Sequence, residues 1–223
     1  MGFLKKFTKQ EISWMMYDWA NSAHSVIVVT ILPIFFDSVA SCTADSVSSM
    51  STWGYATSIA MAIVALAAPF LGVFGDIRGM RKKLFTAFLL LGVVSVAGLA
   101  FTPLMDFTSS TAAAGKVAML VLVLYILSTI GFDASCIYYD AFLTDVTTED
   151  RMDSVSTLGY GLGYIGGSTI PLLIFLIMNA VGVPMLTSLA VIFAITAVWW
   201  LVFSLPLLKN CEQTTGKPYE KGD

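Results

Sequence analysis

Three ionisable side chains sit in stretches otherwise too apolar to hold them: Asp18, His24 and Asp133. At about 100° per residue along a helix, Asn21, Ser22 and Ser25 fall within about 60° of Asp18. Asp18-Trp-Ala-Asn21-Ser22-Ala-His-Ser25 therefore draws a continuous polar stripe along one face. An ionisable group at a helix centre in hydrocarbon costs about 2.5–3.5 kcal/mol, so such groups turn toward a cavity or a partner. Asp18 is either an interfacial carboxylate near the headgroups or part of a cavity that handles substrate or protons; the inward run of the stripe favours the second. His24 points away from the stripe and is expected to be a hydrogen-bonded packing residue. Asp133 shares a face with Thr129 and Cys136, about seven residues from the expected inner end of its helix. With no base near it in sequence, it is either protonated or paired with a group on another helix. Asp133 joins Asp18, Asn21, Ser22 and Ser25 as a candidate substrate or proton pathway.

Two glycine patterns accompany these groups. Gly161, Gly163 and Gly166 spell GxGxxG, but a nucleotide-binding turn needs a preceding strand and a water-accessible helix start. The informative spacing is Gly159, Gly163 and Gly167 at i, i+4, i+8, a small-residue seam for close helix packing, followed by Pro171, which invites a kink. Further upstream, Gly72-Val-Phe-Gly75-Asp76-Ile-Arg78-Gly79-Met-Arg81-Lys82-Lys83 sets an acid at one helix end against bases at the next helix start. Such a turn can latch two helices through a conformational cycle.

The elements that position these residues are membrane helices. Of 223 residues, 57% are hydrophobic and 12% charged, against roughly 25% charged in a soluble domain. A net charge of −3 offers nothing to a nucleic acid, and the apolar excess excludes a disordered chain. A crossing needs about 20 apolar residues, and six stretches qualify: 13–36, 53–74, 84–105, 117–139, 155–178 and 183–207. Continuous rather than alternating apolar runs argue against a β-barrel. The expected fold is all-α and integral to the membrane, with six spans over 1–208 and a polar, mobile tail over 209–223. The Asn179–Pro184 break is expected to separate the last two spans, because a single helix there would far exceed the bilayer. The first run is too long for a cleavable signal and reads as an anchor.

Basic residues fix the expected orientation. Lys5, Lys6, Lys9, Arg78, Arg81, Lys82, Lys83, Arg151, Lys209, Lys217 and Lys221 fall on one side and Lys116 on the other, which accounts for all 12 Lys and Arg. Both termini are thereby expected in the cytoplasm, with the chain in the cell (inner) membrane. Trp14, Trp19, Trp53, Tyr138, Tyr139, Trp199 and Trp200 are placed near the lipid interfaces. The acidic inner loop is expected over Asp140–Asp153. Cys42, Cys136 and Cys211 lie in different segments and make neither a disulfide framework nor a zinc site. No cofactor or metal is expected.

The Gly72, Asp76, Gly79, Arg81-Lys82 turn resembles the signature loop between helices 2 and 3 of the major facilitator superfamily, where the Asp and Arg are implied to form the inter-helix latch. The chain departs from it at Ile77 and Met80, where basic residues are frequent. Tyr17-Asp18-Trp19-Ala20-Asn21-Ser22 resembles the opening of the UMF1 branch, related to the fungal vacuole effluxers Atg22. Tyr139-Asp140-Ala-Phe-Leu143 and Ser156 through Gly167 are similar to the span 4–5 region of that branch. The resemblance implies alternating-access export of small solutes, amino acids among them, with Asp76 and Arg81 as a gate. It also implies twelve spans in two halves, so this chain reads as the amino-terminal six-helix half: a fragment, a remnant, or a half that pairs with a second one. The partners expected are lipid, a small solute and that second half. Two other readings stay open: a non-transporting scaffold, and an intramembrane aspartyl protease built on Tyr17-Asp18 and Tyr139-Asp140. Val73-Phe-Gly75-Asp76 misses the protease's second motif.

Overall fold

The computed structural model describes residues 6–43 and 46–218. Helix α1 (Lys9–Thr30) starts on a capping box: Thr8 Oγ1 accepts from the Glu11 amide at 3.2 Å, and Glu11 Oε2 accepts from the Thr8 amide at 2.7 Å. These bonds satisfy two of the donors that every helix start leaves open. Pro33 then ends the ladder, and α2 (Leu32–Ala40) continues the same crossing after a break at Ile31. The remaining long elements are α3 (Ser46–Gly75), α4 (Arg81–Leu99) and α5 (Thr111–Val146), followed by α6 (Met152–Leu162), α7 (Thr169–Ala180) and α8 (Met185–Asn210). Among the described residues there is no strand, and six segments are long and apolar enough to cross a membrane. They are Lys9–Ala40, Ser48–Gly75, Arg81–Leu104, Thr111–Val146, Glu149–Ala180 and Met185–Asn210. The all-helical, six-span expectation holds.

Close packing concentrates on α1, α4, α5 and α8. A Cβ on Gly131 of α5 would overlap the backbone of Gly92 in α4, so these two helices touch main chain to main chain. Two apolar clusters fill the interior. One gathers Leu32, Phe35, Phe36, Tyr125 and Phe193; the other gathers Trp14, Tyr17, Phe85, Tyr138, Phe142 and Trp200. Helix α3 and the fifth span are the least covered.

The glycine seam packs against α1. A methyl at Gly159 would lie 2.7 Å from Asp18 Oδ2, and one at Gly163 would lie 2.6 Å from Ser22 Oγ. At Gly167 it would overlap the Trp19 carbonyl oxygen. Between α6 and α7 the chain takes a π-helical turn over Gly163–Ser168. Pro171 donates no amide hydrogen to the carbonyl four residues back, and the glycines upstream absorb the changed register. Thr169 Oγ1 donates to the Tyr164 carbonyl at 2.9 Å, and Ser168 Oγ donates to the Ser22 carbonyl at 3.3 Å. The kink expected at Pro171 is thus made upstream of it.

Other expectations are corrected. Helix α5 runs on to Val146 because Tyr138, Tyr139, Phe142 and Val146 keep burying one face. The acidic inner loop therefore begins only after Val146, and Asp133 lies deeper within its helix than expected. Trp14, Tyr138, Tyr139 and Trp200 pack inside the protein and not at a lipid interface. The break before α8 is present, with Gly182 at φ 84° making the turn. Overpacking a tight seam costs about 1–3 kcal/mol. Gly167→Val should therefore lower the unfolding midpoint in detergent markedly. Gly161→Ala, whose added methyl meets nothing within 4 Å, should leave the midpoint unchanged or slightly raised.

Candidate functional site

The polar stripe of α1 is registered against α5 by a run of side-chain contacts. Trp14 Nε1 donates to the Tyr139 carbonyl at 2.9 Å, and the two rings stack with centroids 4.3 Å apart. One turn on, the Tyr17 and Ser135 hydroxyls lie 2.7 Å apart. Tyr139 then donates its hydroxyl to Asp18 Oδ2 at 2.8 Å. Asn21 Nδ2 meets Cys136 Sγ at 3.8 Å, a weak sulfur contact. The Asp18 residue is 7% exposed, and that residual exposure faces a cleft of about 260 Å³.

Asp18, Asn21, Ser22 and Ser25 line this cleft together. Facing them are Phe132, Cys136, Tyr139 and Asp140 of α5, with Tyr160, Tyr164 and Ser168 from the fifth span. Asp133 is not in that lining; its Oδ2 is buried and, among the described residues, has no hydrogen-bond partner. His24 packs as expected, with its ring centroid 4.8 Å from those of Phe132 and Trp200, but neither ring nitrogen has a hydrogen-bond partner among the described residues. The expected hydrogen bonding of His24 is therefore absent there. Carboxylates, hydroxyls and tyrosine rings around a void can coordinate a polar solute or exchange a proton.

The basic loop is held from two directions. Arg81, 3% exposed as a residue, pairs closely with Asp145 of α5 and donates to the Ala141 carbonyl at 2.9 Å. Its contact to Asp76 is longer, 3.6 Å, and the Asp76 carboxylate stands 75% exposed. The Asp76–Arg81 latch is therefore loose, and the tight bond ties α4 to α5. Gly79 makes the turn at φ 82°, while a side chain at Gly72 would meet nothing within 4 Å.

The segment after α8 is not free over 211–218, contrary to the expected mobility; the remaining part of the expected tail, 219–223, lies outside the described residues. Gln213 Oε1 accepts from the Gly79 amide at 2.8 Å, and Gln213 Nε2 donates to the Gly75 carbonyl at 3.1 Å. Thr214 and Thr215 direct amides and hydroxyls to Asp145 Oδ1 at 2.8–2.9 Å. Lys217 bridges Ile77 through bonds to Asp76 and Arg78. Burial pushes the neighbouring Cys211 thiol up to about 12, against the opposing pull of Lys82.

A family model described as "Vacuole effluxer Atg22 like" matches residues 7–223. The chain belongs to the Atg22-like vacuole effluxer family. This Atg22-like chain is 42% identical over 218 residues to an uncharacterized MFS-type transporter, YxiO, of Bacillus subtilis (strain 168), an alignment covering 94% of the chain and 48% of YxiO. The chain thus spans about half the length of the curated relative it matches. No solved structure matches it. Both the cleft and the strapped loop of this Atg22-like protein fall within the family match.

Some contributors to these sites escape sequence reasoning. Asp140 stands beside Tyr139 in a motif the sequence displays, yet the fall in hydropathy after Tyr139 points to a loop there, and the structure keeps it in α5. Tyr160 and Tyr164 are a helical i, i+4 pair that reads as ordinary apolar surface. Glu11 forms a bidentate pair with Arg151, both contacts 2.8 Å, and accepts from Thr147 at 2.7 Å. This ties the start of α1 to the α5–α6 junction of the Atg22-like fold. A larger depression of about 630 Å³ beside Phe7 and Arg151 borders this tie, but Glu11 already occupies its arginine. Breaking a buried ion pair from one side costs about 3–5 kcal/mol, whereas an exposed partner contributes about 0–1 kcal/mol. Thermal unfolding should accordingly show a large loss for Asp145→Ala and little change for Asp76→Asn. In native protein a water-soluble maleimide should modify exposed Cys42 and spare Cys211 until denaturant is added.

Proposed function

We propose that this chain forms one half of a secondary transporter that moves a small solute across a membrane by alternating access. Asp18, Asn21, Ser22 and Ser25 line the half of the path contributed here, and Asp133, outside that lining, is kept as a proton-handling candidate on α5. Asp76 and Arg81 belong to the gate, with Arg81 shifting its grip between Asp145 and Asp76. The observation that carries the reading is the cleft itself: hydrophilic groups from three spans converge on one void. Left against lipid, each carboxylate would cost about 2.5–3.5 kcal/mol, so a second six-helix half covers them in the working protein. The half-length match to an MFS-type transporter supports such a partner. An even number of spans lets both halves run the same way through the bilayer. The charge split of the loops supports both termini in the cytoplasm, and the setting proposed for the chain is the cell (inner) membrane. Amino acids are the solutes that family membership suggests, and a buried carboxylate suits proton coupling.

Counterflow of a labelled amino-acid mixture in proteoliposomes tests this. Liposomes holding verified monomers should behave like empty ones. Tandem-fused copies, or the chain joined to a second six-helix half, should accumulate label, and Asp18→Asn should cut the rate by about tenfold or more, since the lost interaction is worth at least about 1.4 kcal/mol. Robust accumulation by verified monomers would contradict the half-transporter reading.

A further inference from the structure

The cleft holds acids without bases. Asp18 and Asp140 both line it, and among the described residues neither has an ion-pair partner. No Lys, Arg or His contributes to its walls. Arg81 and Arg151 are engaged away from it, by Asp145 and by Glu11. His24 is sealed between Phe132 and Trp200. Asp18 is more than nine-tenths buried, and the side-chain hydrogen bond it receives, from Tyr139, goes to Oδ2. Beside these acids stand Tyr160 and Tyr164, 61% and 71% exposed, one helical turn apart along the void. The face of such a ring attracts a cation through its quadrupole, and a carboxylate in a low-dielectric wall acts on a charge far more strongly than it does in water.

We propose that this half-site recognises a positively charged nitrogen, so that the transported solute carries an ammonium group which docks between the Asp18 and Asp140 carboxylates and the Tyr160 and Tyr164 rings. The inference rests on the transport reading above and deepens it by assigning one end of the solute to this half. An anionic group would face uncompensated carboxylates here and must be received elsewhere, by the second half. The selecting features are charge and ring faces, and the hydroxyls of Ser22 and Ser25 supply hydrogen bonds to whatever polar atoms flank the nitrogen.

The test uses the full chain in nanodiscs, with Cys42, Cys136 and Cys211 changed to Ser and Ser25→Cys as the sole thiol. Ser25 is an exposed wall residue of the cleft. Its modification is timed with a trimethylammonium-bearing and a sulfonate-bearing methanethiosulfonate, each rate divided by that on a free thiol in solution. The cationic reagent should react about tenfold faster or more, as expected beside two carboxyl groups with no base among them. Tetramethylammonium should slow the reaction, and acetate at the same concentration should not. Asp140→Asn, a change at an exposed carboxylate, should reduce the ratio, and adding Asp18→Asn, which can still accept from Tyr139, should bring it near one. Equal rates for the two reagents would overturn the inference, leaving a site for protons or neutral solutes and the pathway intact. No reaction with either reagent would overturn both, because the cleft would then hold no water.

Discussion

Asp18 sets the terms on which α1, α5 and the fifth span meet. Its carboxylate sits within a crossing helix, where exposure to acyl chains is costly, and its relief comes from the Tyr139 hydroxyl at 2.8 Å and from the void beside it. That geometry needs α5 at the correct height, which the Trp14–Tyr139 stack and the Tyr17–Ser135 bond provide. It also needs the fifth span to approach almost to backbone contact, which Gly159, Gly163 and Gly167 permit. In lipid there is no hydrophobic drive between helices, so close van der Waals approach and inter-helix hydrogen bonds hold such a site together. The packing and the chemistry thus share the same residues.

At the end bearing the basic loop, charge takes over from packing. Glu11 and Arg151 join α1 to the α5–α6 junction, and Arg81 with Asp145 joins α4 to α5. The polar segment Gln213–Lys217 lies across the second of these ties and satisfies the remaining lone pairs of Asp145. A buried pair is stable only when its leftover hydrogen-bonding capacity is filled, and here a stretch of chain far away in sequence fills it. The π-turn in the fifth span adds a place where the helix register can change, directly opposite Trp19 and Ser22.

Much of this was legible in the sequence, for physical reasons. Continuous apolar length identifies a crossing helix, so six spans could be read from the chain. The stripe Asp18–Asn21–Ser22–Ser25 obeys helical periodicity and does line one cleft. What failed were inferences that needed tertiary contacts. Hydropathy falls after Tyr139, yet α5 continues, because a helix end is set by burial and capping as much as by polarity, and Asp140 therefore lies on the helix and not in a loop. Tryptophans and tyrosines read as interfacial by composition, but Trp14 and Tyr139 bury against each other. A polar tail looks free until its partner is known, and Asp145 had no mark of its own. Asp133 shares the polarity of the stripe but not its cleft.

The central claim is that water, not lipid, meets the stripe of α1 inside the bilayer. Deuterium modulation of a spin label at Ser25→Cys, the exposed end of the stripe, read by pulsed electron paramagnetic resonance in nanodiscs, measures it directly, with a label at Leu66→Cys as the lipid-facing reference. In heavy water the Ser25 label should show strong solvent modulation and the Leu66 label little, and with chain-deuterated lipid the pattern should reverse. Strong acyl-chain modulation at Ser25, with no signal from heavy water, would contradict the claim.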